Sequence, residues 1–180
     1  MDMKKDDNVL EVKYKLTGVG VKTPKYATEG SSCFDLYAAE DAVIEPAQTV
    51  VVGTGVIFEP PKGYGIMVYP RSGISSKIPL RFANGVGVID NDYRGEVKIL
   101  LENVRPEKNK VYKVPAYQKI DGEVVEDFHN YYPEGTIKIF KGDRIAQAMP
   151  VEIFDTELVR AKELSDTARG KGGLGSTGVK

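Results

Sequence analysis

The chain has 180 residues, 41% of them hydrophobic and 28% charged, with 25 basic residues against 26 acidic ones. This is ordinary globular composition at single-domain length, enough to bury a core. A formal charge of −1 excludes a bulk electrostatic field for nucleic acid or membrane, so any anion site must be built locally.

The opening MDMKKDDNVL is charged and lacks the apolar run of a signal peptide. No apolar stretch approaches membrane-spanning length. The single cysteine, Cys33, has no internal disulfide partner, and a cytoplasmic, reducing setting is expected. No membrane and no direct nucleic-acid partner is expected.

The first strand signal is EVKYKL, where Val12, Tyr14 and Leu16 alternate with charged residues. SSCFDLYAAED then sets Asp35 inside an apolar strand, either on a solvated face or holding something specific. Cys33 reads as a small buried hydrophobe. VVVGTGVIF and GYGIMVYP are short β-branched and aromatic runs bounded by glycine and proline. YPRSGISSK follows, with a short helical turn expected over residues 72–77. It places Arg71, Ser72 and Gly73 at a helix start, where free N–H groups and a positive dipole end suit a phosphate. By itself this could equally be an N-cap serine beside a surface arginine.

NGVGVIDNDYRGEV reads as a hairpin loop carrying Asp90 and Tyr93. It is no EF-hand, because Arg94 stands at the third ligand position and Leu101 at position twelve. GEVKILLENV and GTIKIF continue the strands. Between them, residues 107–135 are rich in tyrosine, lysine and acids and hold the only histidine, His129. A segment of this length is either functional or disordered, and its aromatics argue against disorder. VYKVPAY and EVVEDF are expected to pair as a hairpin around Asp121-Gly122. KGDRIAQAM puts Arg144 and Gln147 at a strand start after a tight turn, and AKELSDTA offers a second short helix. Ten prolines and nineteen glycines break the chain into short pieces. The fold class expected is all-β, a jelly roll or distorted barrel in one domain spanning residues 1–180.

The chain ends ARGKGGLGSTGVK. GKGGLG matches a dinucleotide fingerprint in letters only, since no helix can follow it, and no P-loop spacing is present. A glycine-rich terminus is by default a solvated tail. Yet its glycines, Arg169, Ser176 and Thr177 have the chemistry of a phosphate-binding loop. Across the chain, Arg71, Ser72, Arg144, Arg169, Ser176 and Thr177 supply anion donors, and Asp35 and Asp90 supply carboxylates. That inventory suits a metal–polyphosphate substrate and a hydrolytic water.

CFDLYA, PRSGISSK, NGVGVIDNDYRGEV, GDRIAQ and RGKGGLGSTG, in this order, resemble the five motifs of the trimeric dUTPases (deoxyuridine 5′-triphosphate nucleotidohydrolases). The resemblance runs from about residue 26 to 178, apart from the insertion. It implies a homotrimer of jelly-roll subunits with sites at subunit interfaces. The implied reaction is dUTP plus water giving dUMP and pyrophosphate by attack at the α-phosphorus, limiting uracil in DNA and supplying dUMP for thymidylate synthesis. Asp90 resembles the general base, with Ser72 as its catalytic companion at the phosphate. Arg71 and Gly73 resemble the rest of the phosphate turn. Asn84, Gly87, Val88 and Ile89 resemble the segment that reads uracil, and Tyr93 the residue that excludes a 2′-hydroxyl. Arg144 and Gln147 resemble phosphate contacts. Asp35 and Gln147 resemble residues that hold a Mg²⁺–triphosphate through waters. Arg169, Gly173, Leu174, Gly175, Ser176 and Thr177 resemble a closing lid over residues 169–180. Leu174 stands where the family commonly has an aromatic that stacks on the base. The insertion at 107–135 resembles those of some bacteriophage members and implies a repressor-type protein partner. Two alternatives remain at this point: a dCTP deaminase-type enzyme, or a regulatory protein on the same fold.

Overall fold

The computed structural model describes residues 9–107 and 112–173. Among them the chain forms sixteen short strands and one helical turn. In order these are β1 (Lys13–Leu16), β2 (Lys25–Tyr26), β3 (Phe34–Tyr37), β4 (Ala42–Ile44), β5 (Thr49–Gly53), β6 (Val56–Glu59) and β7 (Tyr64–Tyr69), followed by α1 (Ser72–Ser75). Then come β8 (Leu80–Phe82), β9 (Gly87–Ile89), β10 (Lys98–Asn103), β11 (Lys113–Val114), β12 (Ala116–Lys119), β13 (Val124–Glu126), β14 (Tyr132–Pro133), β15 (Ile137–Ile139) and β16 (Arg144–Glu152). The expected all-β class is present.

A five-stranded sheet in the order β2-β3-β16-β7-β9 carries most of the motifs. Smaller sheets, β5-β10-β8 and β13-β12-β15-β4, complete the jelly-roll-like body, with β1 paired to β6. Their apolar faces meet in one core. Leu36, Ile66, Val68 and Ile145 come from the large sheet, and Ile44, Val52, Ile99, Leu101, Ile137 and Ile139 from the others. Strict alternation in β10 places Ile99, Leu101 and Asn103 inward. The Asn103 amide is fully buried, donating to Ile44 O and Gly135 O, which ties β10 to β4 and to the exit of the insertion.

Two sequence expectations change. Residues 161–168 form no helix, and Leu164 is 87% exposed. A segment this short needs an apolar stripe packed on a core to stay helical, and none is packed here. The loop after β9 is also not a hairpin, because β9 pairs with β7 while β10 pairs with β5 and β8. The loop crosses between sheets.

The described residues of the insertion are folded. β12 and β13 form the expected hairpin, with Gly122 at φ 96° taking the turn conformation that glycine favours. VYKVPAY contributes a second, separate pairing, since β11 joins β14. β12 also pairs in parallel with β15, which fastens the insertion to the body sheet. Lys138 Nζ sits 4.6 Å from the Tyr117 ring, 5.3 Å from Tyr132 and 5.6 Å from Phe140. It also donates to the Tyr132 hydroxyl, which donates to Asp127. Tyr117 and Tyr132 are thus half-buried against one another, whereas Tyr112, Phe128 and Tyr131 are 61–71% exposed.

Candidate active site

β3 is buried at three successive residues rather than alternating. Phe34 and Leu36 face the core, and Asp35, 7% exposed, is covered by two arginines from elsewhere in the chain. Arg71 Nε lies 3.0 Å from Asp35 Oδ1, and Arg144 Nη1 lies 3.2 Å from Oδ2. Arg71 also donates to the Arg144 carbonyl at 3.1 Å. A buried carboxylate is tolerated only when paired in this way.

Local backbone sets the geometry. Gly142 at φ 89° makes the Lys-Gly-Asp turn, and its N–H donates to Ala38 O. The register then shifts between Arg144 and Ala146, so Ile145 and Ala146 are both buried. This bulge aims Arg144 at Asp35. Three residues on, Gln147 lies directly opposite Asp35 and donates to Pro70 O at 3.0 Å.

Proline ends β7, and α1 starts at once. Arg71 is its N-cap in an extended conformation, with no side-chain cap, so the Ser72 hydroxyl is not used for capping. The N–H groups of Ser72 and Gly73 precede any intrahelical acceptor. A helix of four residues carries little macrodipole, so the donors themselves, not the dipole expected from sequence, suit an anion. Asp35, Arg71, Ser72, Gly73 and Gln147 line one cavity of about 330 Å³. Ser31, Ser32 and Cys33 complete it. Sequence reasoning overlooked the two serines, and their only signal was adjacency to the first motif. Cys33 is half-buried rather than buried, and burial pushes its thiol pKa up, which keeps it protonated and unreactive.

The second group of residues lies elsewhere. β9 holds Gly87, Val88 and Ile89 against β7, and Asn84 sits in the preceding turn, its carbonyl accepting from Val86 N–H. Asp90 is exposed just beyond β9. Its loop is held rigidly: Asn91 Nδ2 donates to Pro60 O, Pro61 O and Tyr64 O, and Arg94 Nη1 to Asn91 O and Tyr93 O. The Tyr93 hydroxyl donates to Glu96 O at 3.2 Å, leaving the ring 44% exposed.

β7 runs between the two groups. Ile89 pairs with Ile66 near its start, while Arg71 and Ser72 follow its end. At 3.3 Å per residue, six residues of strand separate them by roughly 20 Å. A single copy of the chain therefore does not bring Asp90 to the Ser72 turn. Arg169 hydrogen-bonds its own turn, Nε to Gly172 O, and Gly173 is exposed. Leu174, Gly175, Ser176 and Thr177 lie outside the described residues. Among the described residues, no group of three or more His, Cys, Asp or Glu side chains is placed to hold a metal ion.

The dUTPase family model matches residues 20–121 and 127–178, interrupted at the hairpin of the insertion. The deoxyuridine 5′-triphosphate nucleotidohydrolase of Hydrogenobaculum sp. is 40% identical over 158 residues, covering 87% of this chain and 90% of that protein. Among solved structures, the dUTPase of Staphylococcus bacteriophage 80alpha with dUPNHPP superposes at TM-score 0.87 with 33% identity. The match covers 94% of this chain and 99% of that one, and phage dUTPases are described there as controlling transfer of virulence genes. The dUTPase of phage phi11 of S. aureus matches at TM-score 0.80 and 29% identity, over 87% of this chain and 99% of that one. Its structures reveal a coordinated structural Mg(II) ion and a species-specific insert. With five ordered motifs, a β-sheet scaffold that carries the first four and relatives that align along nearly the whole length, the chain belongs to the dUTPase family.

Proposed function

We propose that this chain hydrolyses dUTP to dUMP and pyrophosphate, in sites shared between copies of a homotrimer. The observation that carries the reading is the separation along β7. The phosphate end (Asp35, Arg71, Ser72, Gly73, Arg144, Gln147) follows β7, and the nucleoside end (Asn84, 87–90, Tyr93) runs away from it, so that Asp90 lies roughly 20 Å from Ser72 in one copy. A second copy's nucleoside end laid against the first copy's phosphate end completes a site. The irregular segment following β16 offers apolar material for such an assembly: Phe154, Leu158 and Val159 are 76–93% exposed.

In the shared site the Ser72 and Gly73 N–H groups and the two guanidiniums hold phosphate oxygens, and the Ser72 hydroxyl donates to the group under attack. Asp90 accepts a proton from the water that attacks the α-phosphorus, and pyrophosphate leaves. Tyr93 fills the space a 2′-hydroxyl would need, and β9 presents backbone groups to the uracil edge. Residues 169–180, with Gly173, Leu174, Gly175, Ser176 and Thr177, close over the nucleotide.

A divalent cation, Mg²⁺, fits this donor set. Each Asp35 oxygen spends one lone-pair direction on an arginine and keeps another for a water, and Gln147 stands opposite. Asp35 and Gln147 would hold the ion through its waters, and bound there it would neutralise charge on the triphosphate. The deciding assay is pyrophosphate release from dUTP, dTTP, dCTP and UTP side by side, with and without Mg²⁺. Release from dUTP alone is expected. Ammonia from dCTP would establish the deaminase reading instead.

A second role has its own observation. The described residues of the insertion are folded and present Tyr112, Phe128 and Tyr131 outward, which suits a protein-binding surface. We propose a repressor-type regulatory partner, as befits a relative of phage dUTPases.

A further inference from the structure

A second cavity, of about 560 Å³, lies on the other side of Arg71 from the phosphate turn. Arg71 and Gly73 line both cavities, and here Arg144, Lys22 and Lys77 join them. None of the five dUTPase motifs contains Lys22, and Lys77 only ends the second. Neither lines the cavity that holds Ser72 and Gln147.

Lys22 is held in place by two contacts. Lys22 Nζ donates to Gly142 O at 2.8 Å and stands 5.2 Å from the Tyr37 ring centroid. One N–H is thereby used and two remain. Lys77 follows α1, and the hairpin of the insertion packs beside it: a Cβ on Gly122 would lie 3.6 Å from Lys77 Cβ. The far wall is Ile120 and Asp121, so the insertion closes the cavity.

Its lining carries four cations, Lys22, Lys77, Arg71 and Arg144, against two acids, Asp121 and Asp143. Asp143 accepts from Phe140 N–H, and Asp121 accepts from Glu123 N–H with Lys119 Nζ 3.7 Å away. Arg71 and Arg144 share the single carboxylate of Asp35. Two lysines and an under-neutralised arginine pair therefore face open space, and such a concave cluster attracts a small polyanion.

We infer that this cleft is a product subsite, which takes inorganic pyrophosphate after it parts from the α-phosphorus. The inference rests on the reading of Arg71, Ser72 and Gly73 as the phosphate turn. Pyrophosphate passing from one cavity to the other keeps its contact with Arg71 throughout. It keeps Gly73 as well and exchanges the Ser72 donor for Lys22 and Lys77. The insertion thereby forms one wall of the exit.

The test uses the full-length protein and inorganic pyrophosphate. Lys22→Gln and Lys77→Gln, each checked for unchanged assembly by size-exclusion chromatography, should each raise the pyrophosphate inhibition constant by about fivefold. KM and kcat for dUTP should stay within about twofold. An inhibition constant unchanged in both variants overturns the inference. So does a KM for dUTP that rises in parallel, because the lysines would then be contacts of the substrate's triphosphate. Calorimetric titration with pyrophosphate alone reads the cleft without turnover. Lysine-dependent binding in a protein that releases no pyrophosphate from dUTP would refute the hydrolase reading and leave the anion site standing. Binding that ignores both lysines overturns the site whatever the activity.

Discussion

Replacing Asp35 by Asn removes one charge and almost no volume, at a residue 7% exposed. Arg144 has a half-exposed side chain, 50%, and its lost pair is worth at most about 1 kcal/mol. Arg71 is different: its side chain is 21% exposed and its Nε points at Asp35 Oδ1 from 3.0 Å. An asparagine amide can accept from one guanidinium but turns its own N–H₂ towards the other. One charged donor is then left facing a donor, a penalty of about 1–3 kcal/mol. The sum is about 1–4 kcal/mol, mostly below the 3–5 of a fully buried pair because water reaches Arg144. At roughly 2–4 °C per kcal/mol for a chain of this size, Tm should fall by about 2–16 °C. Differential scanning calorimetry at one fixed protomer concentration measures it, since assembly makes Tm concentration-dependent. Two guanidiniums released from their carboxylate should also hold phosphate more tightly without Mg²⁺. The stimulation of dUTP hydrolysis by Mg²⁺ should collapse. A Tm change under about 2 °C would refute the reasoning, because the triad would then carry no net stability.

Asp90→Asn should leave the fold intact and lower kcat for dUTP by about 10²–10⁴, and near-normal turnover would remove Asp90 from the role of base. Deleting residues 169–180 should leave a folded oligomer by light scattering while dUTP turnover collapses, and unchanged turnover would make the tail a solvated segment. Within it, Leu174→Phe should tighten nucleotide binding by about 0.5–1.5 kcal/mol in calorimetry. Excising residues 108–134 with a short glycine–serine bridge should leave an intact oligomer that retains hydrolysis. It should lose capture of a repressor-type partner, and abolished hydrolysis would move the insertion into the catalytic centre itself. For the insertion's own stability, the Tyr132 hydroxyl first, then Asn130 and the His129 N–H, depress the Asp127 pKa. A carboxylate depressed in the folded state stabilises it above the unfolded value and loses that contribution as pH falls through the folded one. Amide protection over residues 131–138 should therefore hold at neutral pH and fall in a step below about pH 4, and Asp127→Ala should remove the step.

What could be read from the letters was local. Strand runs such as GYGIMVYP, the Lys-Gly-Asp turn and the Asp-Gly hairpin depend on neighbours in sequence, and each formed where expected. The short helix after Pro70 formed because its Ile74 is buried. AKELSDTA has similar propensity but no place in the core, so tertiary packing decided between them. The Asp35–Arg71–Arg144 triad spans 109 residues, and no spacing rule reaches that far. The composition of SSCFDLYAAED raised a sharper question, why an acid sits among apolar residues. The two arginines answer it.

The aromatics of the insertion show where composition misleads. Five tyrosine and phenylalanine side chains in one segment argued against disorder without saying which of them face inward. Yet Tyr117 and Tyr132 enclose Lys138 with Phe140 and serve as the segment's own small core. A lysine on β15 was needed to organise them, and it lies in the body of the protein rather than in the insertion. Burial alone would lower the Lys138 pKa, but the Tyr132 hydroxyl, with the charge of Asp127, outweighs it and keeps the ammonium charged. The cation is what makes the ring cluster specific, because three rings attract one charge from fixed directions. The parallel pairing of β12 with β15 then fixes the hairpin turn beside Lys77. A passive decoration would need no such anchoring. An insertion held at both its base and its tip presents Tyr112, Phe128 and Tyr131 from a rigid frame, and any partner gripping them acts on a structure that borders the phosphate turn.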